Sequence, residues 1–220
     1  MPPDRTGPKS AYASTADELL VLRTSPPKER ADAARNRATV LAAAADLFRR
    51  HGVDGLSMDA VAAAAGVGKG TLFRRFGDKS GLAAALLDEE ERTLQEAILF
   101  GPAPLGPGKP AEHPAPRERL HAFVDAYLDY LLAHLPLVHM SETASPGARY
   151  RIGAYRFWHR HVALILAGRA DPDADAHSLL ATLAAEHVQA VVGELGQARV
   201  RRAARALADA LTPPPPRRRR

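Results

Sequence analysis

Cysteine is absent from the 220 residues. That excludes disulfides, thiol nucleophiles and cysteine-ligated metal, and it suits a cytoplasmic protein. Long apolar runs are also missing. No stretch reaches the roughly eighteen residues that a membrane span needs. The opening MPPDRTGPKS leads into no continuous apolar segment, so no secretory leader is expected. Aromatic residues make up only 5% of the chain, although 46% is hydrophobic. Alanine, leucine and valine therefore have to supply most of the core. Apolar and polar residues nowhere alternate with a period of two, so no strand is expected and the chain reads as all-α.

Metal-ligand spacing is missing as well. In HRH at 159–161 the histidines stand two apart, and on a helix they point in different directions. His134 and His139 are separated by a proline. DPDADAH at 171–177 imitates a calcium loop, but its sixth position is Ala176 and its twelfth Thr182, where glycine and glutamate are needed. No nucleophile sits in a recognisable elbow. Neither metal, cofactor nor enzymatic chemistry is expected.

The net charge is +5, and it is unevenly placed. Residues 35–80 carry eight Lys/Arg against four Asp/Glu, and the last four residues are all arginine. Residues 81–216 hold thirteen basic and sixteen acidic side chains. A positive N-terminal region beside a mildly acidic body suggests an anionic partner.

Composition and periodicity divide the chain into four parts. Residues 1–30, rich in Pro, Ser, Thr and charge, read as a flexible arm. Residues 31–80 carry three short helices. In the first, Val40, Leu41, Ala44, Leu47 and Phe48 recur at helical spacing up to Gly52. Ser57 caps the second, whose apolar face is Val61, Ala62 and Ala65 and which stops at Gly66. The third spans about 68–76. Asp78 caps a fourth helix over about 79–98, which opens the third part, 81–211. Beyond a Pro/Gly-rich loop, further helices are expected at about 117–135, 137–143, 148–168, 175–194 and 197–211. Residues 212–220 form a Pro/Arg tail of low complexity.

Within 64–80, AAGVGKGTLFRRFGDKS contains GVGKGT, which invites a nucleotide-loop reading. A Walker loop aligned on Gly68-Lys69 needs glycine where Ala63 stands and Ser/Thr where Gly70 stands. It also needs a preceding strand, and SMDAVAAAA is helical in character. A nucleotide-binding enzyme is thus a remote alternative. Helix, glycine turn and helix fit a helix-turn-helix better. Val61, Val67, Leu72 and Phe76 would form its small core, leaving Lys69, Gly70, Thr71, Phe73, Arg74 and Arg75 outward. Arginine can fork onto a guanine edge, which makes Arg74 the candidate base reader. Lys69, Thr71 and the free N–H groups of the helix start suit phosphate oxygens. Gly70 lets the backbone approach closely. Arg75 suits phosphate or base. Arg35 and Arg37, flanking the first helix, are further phosphate candidates.

The run LAAAADLFRRHGVDGLSMDAVAAAAGVGKGTLFRRFGDKSGL resembles the N-terminal domain of the TetR family of transcriptional regulators. The matching features are Phe48, Gly52, Ser57, Gly66-Val67, Gly70–Phe73 and Lys79. The resemblance implies double-stranded operator DNA as partner, with Ser57 and Lys79 beside its phosphates. It departs from the family at Phe73, where tyrosine is common. It departs again at Arg74-Arg75, where an aromatic or histidine is more usual, so operator preference is expected to differ.

The resemblance also implies a larger C-terminal domain that binds a small organic effector and forms a homodimer. Effector-lining candidates are Phe123, Tyr127, Tyr130, His134, Met140, Tyr155, Trp158 and His161. Leu179, Leu183, Val188, Val191 and Val192 are the dimer candidates. The expected protein is a repressor released from a palindromic operator by its effector. The alternative is a DNA-binding protein without effector control.

Overall fold

The structure, a computed structural model, describes residues 31–109 and 114–212. The expected arm at 1–30 and all of the tail beyond Thr212 lie outside the described residues. Within them the fold is all-α. An N-terminal bundle holds α1 (Ala31–Gly55), α2 (Met58–Ala65) and α3 (Lys69–Phe76). The long α4 (Lys79–Phe100) leads into a larger helical body. That body comprises α5 (Pro116–Ala133), α6 (Leu135–Glu142), α7 (Ala148–Arg151), α8 (Gly153–Ile165), α9 (Pro172–Ala181), α10 (Ala185–Leu195) and α11 (Gln197–Leu211). Among the described residues no helix is long and apolar enough to cross a membrane.

Local chemistry sets the N-terminal bundle. In α1, Val40 and Ala44 are buried while Leu41, Leu47 and Phe48 pack against the core from its edge. Gly52 leaves the helical region, so α1 kinks there. The Ser57 hydroxyl accepts the Ala60 N–H at 3.1 Å and starts α2. Gly66 ends α2 with φ of 66°, a left-handed conformation that a side chain would strain, and its N–H closes onto the last turn. Asp78 then accepts the N–H groups of Ser80 and Gly81 at 2.8 and 2.9 Å. Gly81 allows a close approach: a Cβ there would stand 1.9 Å from the Phe76 carbonyl oxygen. The start of α4 is therefore fixed hard against the end of the outward-facing α3.

One continuous apolar core runs from this bundle through α4 into the body. Leu82, Leu87, Leu94 and Ile98 supply the α4 side. Leu120, Phe123, Val124, Tyr127, Leu128 and Leu131 supply that of α5. A ladder of charges seats α11 on α5. Arg201 reaches Asp125 at 3.2 Å and Asp129 at 2.5 Å, Arg205 joins Asp125, and Asp209 takes Arg117 at 2.6 Å and His121 at 2.7 Å. These pairs are partly exposed, so each adds little, and their role is to set the rotation of α11.

Two expected helices are broken. The one at 148–168 divides at Ile152, which is extended with ψ of 132°. The one at 175–194 divides between α9 and α10, where Ala184 is extended. Tertiary partners compensate both breaks. The Glu142 carboxylate accepts the Ala185 N–H at 2.8 Å and caps α10 from another helix. Arg149 donates to the Leu180 carbonyl at 2.8 Å and to Glu142.

Candidate nucleic-acid interface and inner cavity

Helix α3 is anchored by two residues and open elsewhere. Leu72 and Phe76 are 1% and 9% exposed and meet Val61 and Ala62 of α2 in the core. Lys69, Gly70, Thr71, Phe73 and Arg74 are exposed, and Arg75 is half-buried. Nothing lies within 4 Å of where a Cβ of Gly68 or Gly70 would sit, so the backbone itself can meet a surface. Eight residues make a rod about 12 Å long, comparable with the width of a DNA major groove. The free N–H groups at its start suit an anion. Phe73 is a 41% exposed apolar ring at the centre of this cationic face.

The cations around α3 are not equally free. Lys69 lies 2.6 Å from Asp59 of α2 and 5.8 Å from the Phe73 ring centre. Both partners of that pair are exposed, so phosphate can compete for the lysine. Arg35 is exposed on α1. Arg37 instead reaches Asp88 of α4 at 2.5 Å, which ties α1 to α4. Lys79 is half-buried, and its ammonium donates to the Val53 carbonyl at 2.5 Å. This turns Lys79 inward, where it holds the turn after α1 against α4, away from the phosphate role expected of it. The Ser57 hydroxyl is engaged as the α2 cap but keeps its own hydrogen to donate.

The body encloses a narrow cavity between α4, α5, α6 and α8. Its volume is about 20 Å³, about the space of one water molecule. Of the expected lining residues, Tyr127, Tyr130, Tyr155 and Trp158 face it. Four others do not. Phe123 and His161 are core residues at 0% and 1% exposure. Met140 packs at the edge of the core, and His134 stacks 5.7 Å from Tyr130 and sits 3.8 Å from Glu90. Both His161 ring nitrogens lack a hydrogen-bond partner. Burial, helped by the positive Arg119, pushes its pKa down to about 3, so it is a neutral core side chain.

Sequence reasoning missed the cavity's charged groups. Glu142 and Arg149 form an ion pair with each side chain only 8% exposed, and the guanidinium lies 5.1 Å from the Tyr155 ring centre. Glu91 accepts the Tyr130 hydroxyl at 3.0 Å. Its signal was present: Leu87, Glu91, Leu94 and Ile98 share one helical stripe, so an acid interrupts a buried face.

The expected dimer residues need correction. Leu179, Leu183 and Val188 are 2%, 0% and 0% exposed within the single chain, so they fill its own core and leave no surface for a partner. Val191 and Val192 are half-buried. The outer faces of α10 and α11 instead present Ala190, Gly193, Ala203, Ala206 and Leu207.

Among known proteins, residues 40–86 match the family model for bacterial regulatory proteins of the tetR family. The chain is similar to HTH-type transcriptional regulator SAB2452 of Staphylococcus aureus (strain bovine RF122 / ET3-1), with 39% identity over 65 residues. That match spans 30% of this chain and 35% of the relative's length. The fold is similar to the crystal structure of a TetR-family transcriptional regulator from Pectobacterium atrosepticum, with a TM-score of 0.56 and 26% identity. That likeness covers 82% of this chain and 94% of the other. It extends the agreement from the helix-turn-helix into the helical body. The motif-bearing N-terminal helices thus carry the DNA-binding domain of the tetR family, and the architecture behind them is similar to that of a TetR-family transcriptional regulator.

Proposed function

We propose that the chain is a repressor that binds palindromic operator DNA as a homodimer and is released by a small organic effector. The exposed face of α3 carries this reading: a short, rigidly seated helix presenting Lys69, Gly70, Thr71, Phe73 and Arg74 around an open backbone. Arg74 reads a guanine edge. Lys69, Thr71, Ser57 and Arg35 meet phosphates, and Arg75 serves either. Phe73 packs on sugar or a thymine methyl. Gly70 brings the backbone close. Arg37 and Lys79 support the interface by holding α1 against α4. Pairing through the outer faces of α10 and α11 places two such helices on one duplex, and half-site spacing follows from that symmetry.

Effector control needs a physical link between cavity and head. Helix α6 packs on α4 along the cavity and also touches α1. A guest larger than water has to part these helices and so changes how the head is held, which couples the two sites. The tightness of the cavity favours a second reading, DNA binding without effector control. Selection of bound duplexes from a random pool tests the first part: a palindromic consensus is expected, and enrichment of single half-sites or of nothing overturns it. Saturable release of that operator by a small molecule, found by thermal-shift screening, separates the two readings.

A further inference from the structure

The inner cavity contains one acid without a counter-charge. Glu91 has a single hydrogen bond, from Tyr130, and no cation within ion-pair distance among the described residues. The other charges in the wall cancel. Glu142 is matched by Arg149, whose guanidinium also serves the Leu180 carbonyl. Aromatic rings surround the acid: Tyr127 lies 6.0 Å from both Tyr130 and Trp158, measured between ring centres. A desolvated carboxyl among aromatic faces is matched by a positive charge, which gains from the carboxylate and from the ring quadrupoles together. Resting on the effector reading above, we infer that the ligand of this cavity is an organic monocation with an apolar or aromatic body, its charge held by Glu91 and the faces of Tyr127, Tyr130 and Trp158.

The Glu91 carboxyl is set to respond to such a guest. Burial pushes the Glu91 carboxyl up to about 7, Asp88 adds to the push, and the Tyr130 hydrogen bond opposes it. Glu90 from α4, Tyr127 and Tyr130 from α5, the Glu142–Arg149 pair, and Tyr155 from α8 complete the polar surroundings. Near neutral pH the Glu91 carboxyl is therefore partly protonated, and an arriving cation displaces that proton. Arg149 Nε has no acceptor, so a ligand that also carries an ether or carbonyl oxygen gains a second contact. The same free donor makes an anionic guest the alternative to be tested.

Trp158 is the single tryptophan of the chain and lines the cavity, so its fluorescence reports binding without any DNA. Three probes of one shape separate the chemistries: benzyltrimethylammonium, its neutral carbon isostere neopentylbenzene, and phenylacetate. At about pH 8, where Glu91 is ionised, the cation is expected to bind roughly tenfold more tightly than the isostere. Glu91→Gln keeps the shape of the side chain and is expected to abolish that preference while the isostere still binds. Calorimetry in two buffers near pH 7 should detect proton release on cation binding, absent in Glu91→Gln. Equal binding of cation and isostere, tighter binding of phenylacetate, no binding of any probe, or an unchanged preference in Glu91→Gln each overturns the inference. Operator affinity measured in parallel keeps the two proposals apart. A cation that binds with its Glu91 dependence intact but leaves operator affinity unchanged refutes the effector reading and upholds the charge assignment.

Discussion

Replacing Arg149 and Glu142 together by methionine should destabilise the body by much less than the sum of the two single replacements. The reason is visible in what the pair touches. Glu142 accepts from Arg149 through one oxygen and from the Ala185 N–H at 2.8 Å through the other. Arg149 adds the Leu180 carbonyl at 2.8 Å. Each side chain is 8% exposed, so water cannot take over for a missing partner. Arg149→Met strands a buried carboxylate, at a cost of roughly 3–5 kcal/mol. Glu142→Met strands the guanidinium and uncaps α10, at a similar cost. The double variant removes both charges and leaves only the Ala185 N–H and the Leu180 carbonyl unpaired, at roughly 1–3 kcal/mol each. The coupling energy in a double-mutant cycle should therefore be about 2 kcal/mol or more. Urea unfolding at one fixed protein concentration measures it, because the proposed dimerisation would make apparent stability concentration-dependent. Additive single effects would refute the claim that the pair acts as a unit. So would an Arg149→Met cost near that of an exposed ion pair, below about 1 kcal/mol.

Four further outcomes follow from the interface and the core. Arg74→Ala should weaken specific operator binding by roughly 1–3 kcal/mol and relax preference at one position of each half-site; a selection experiment that returns an unchanged consensus with uniformly lower affinity would make Arg74 a phosphate contact. Asp59→Asn should raise affinity by releasing Lys69 from its 2.6 Å ion pair, whereas Lys69→Ala should reduce the salt slope by about 0.9 for each half of the dimer. His161→Leu should stabilise the fold, because a ring with two unpartnered buried nitrogens is removed, by roughly 1–3 kcal/mol at neutral pH. The folded pKa of His161 is depressed to about 3 from 6.5, so its contribution is fully present above 6.5 and is lost as pH falls through that window. The advantage of the leucine variant should accordingly grow on acidification, by about 1.4 kcal/mol per pH unit, and a difference independent of pH in denaturant titrations would contradict the assignment.

What was legible in the sequence separates cleanly from what was not, and the dividing line is how far apart in the chain the deciding groups lie. Ser57 caps its own helix three residues on, Asp78 caps residues two and three further along, and Gly66 turns the chain by its own φ. These devices can be read from a few adjacent letters, which is why the boundaries of α2, α3 and the start of α4 were predictable and the outward face of α3 with them. The breaks around Ile152 and Thr182–Ala184 depend on partners far away: Arg149 meets Leu180 across 31 residues, and Glu142 meets Ala185 across 43. Periodicity continues through such breaks, so it predicted two long helices where four shorter ones stand. The dimer residues failed for a related reason. Leu179, Leu183 and Val188 carry the apolar pattern of a helix interface, and a sequence does not say whether the facing helix belongs to the same chain or to a second copy. Lys79 was misplaced because its partner is a backbone carbonyl at Val53, and carbonyls have no letter.

The cavity shows the same limit from the opposite side. Four of its eight expected lining residues face it, and these are all of its aromatic rings, since aromatic side chains on α5 and α8 are few and central. Its charge was not, because acids on a long helix usually face solvent and α4 carries DEEE at 88–91. Three of those four are side chains on the outer turns or at the α1 contact, and only the stripe Leu87–Glu91–Leu94–Ile98 distinguishes the fourth. Turning that helix by one residue position, about 100°, would carry Glu91 off the stripe that faces the cavity. The ligand class proposed for the cavity therefore depends less on which residues the body contains than on the rotation of α4. Gly81 against the Phe76 carbonyl, Asp78 at its cap, Lys79 on Val53 and the Arg37–Asp88 pair all fix that rotation from the head. The groups that seat α3 are thus the same groups that aim Glu91 at the cavity. If the proposed effector control holds, a change at one site should be felt at the other through the orientation of α4.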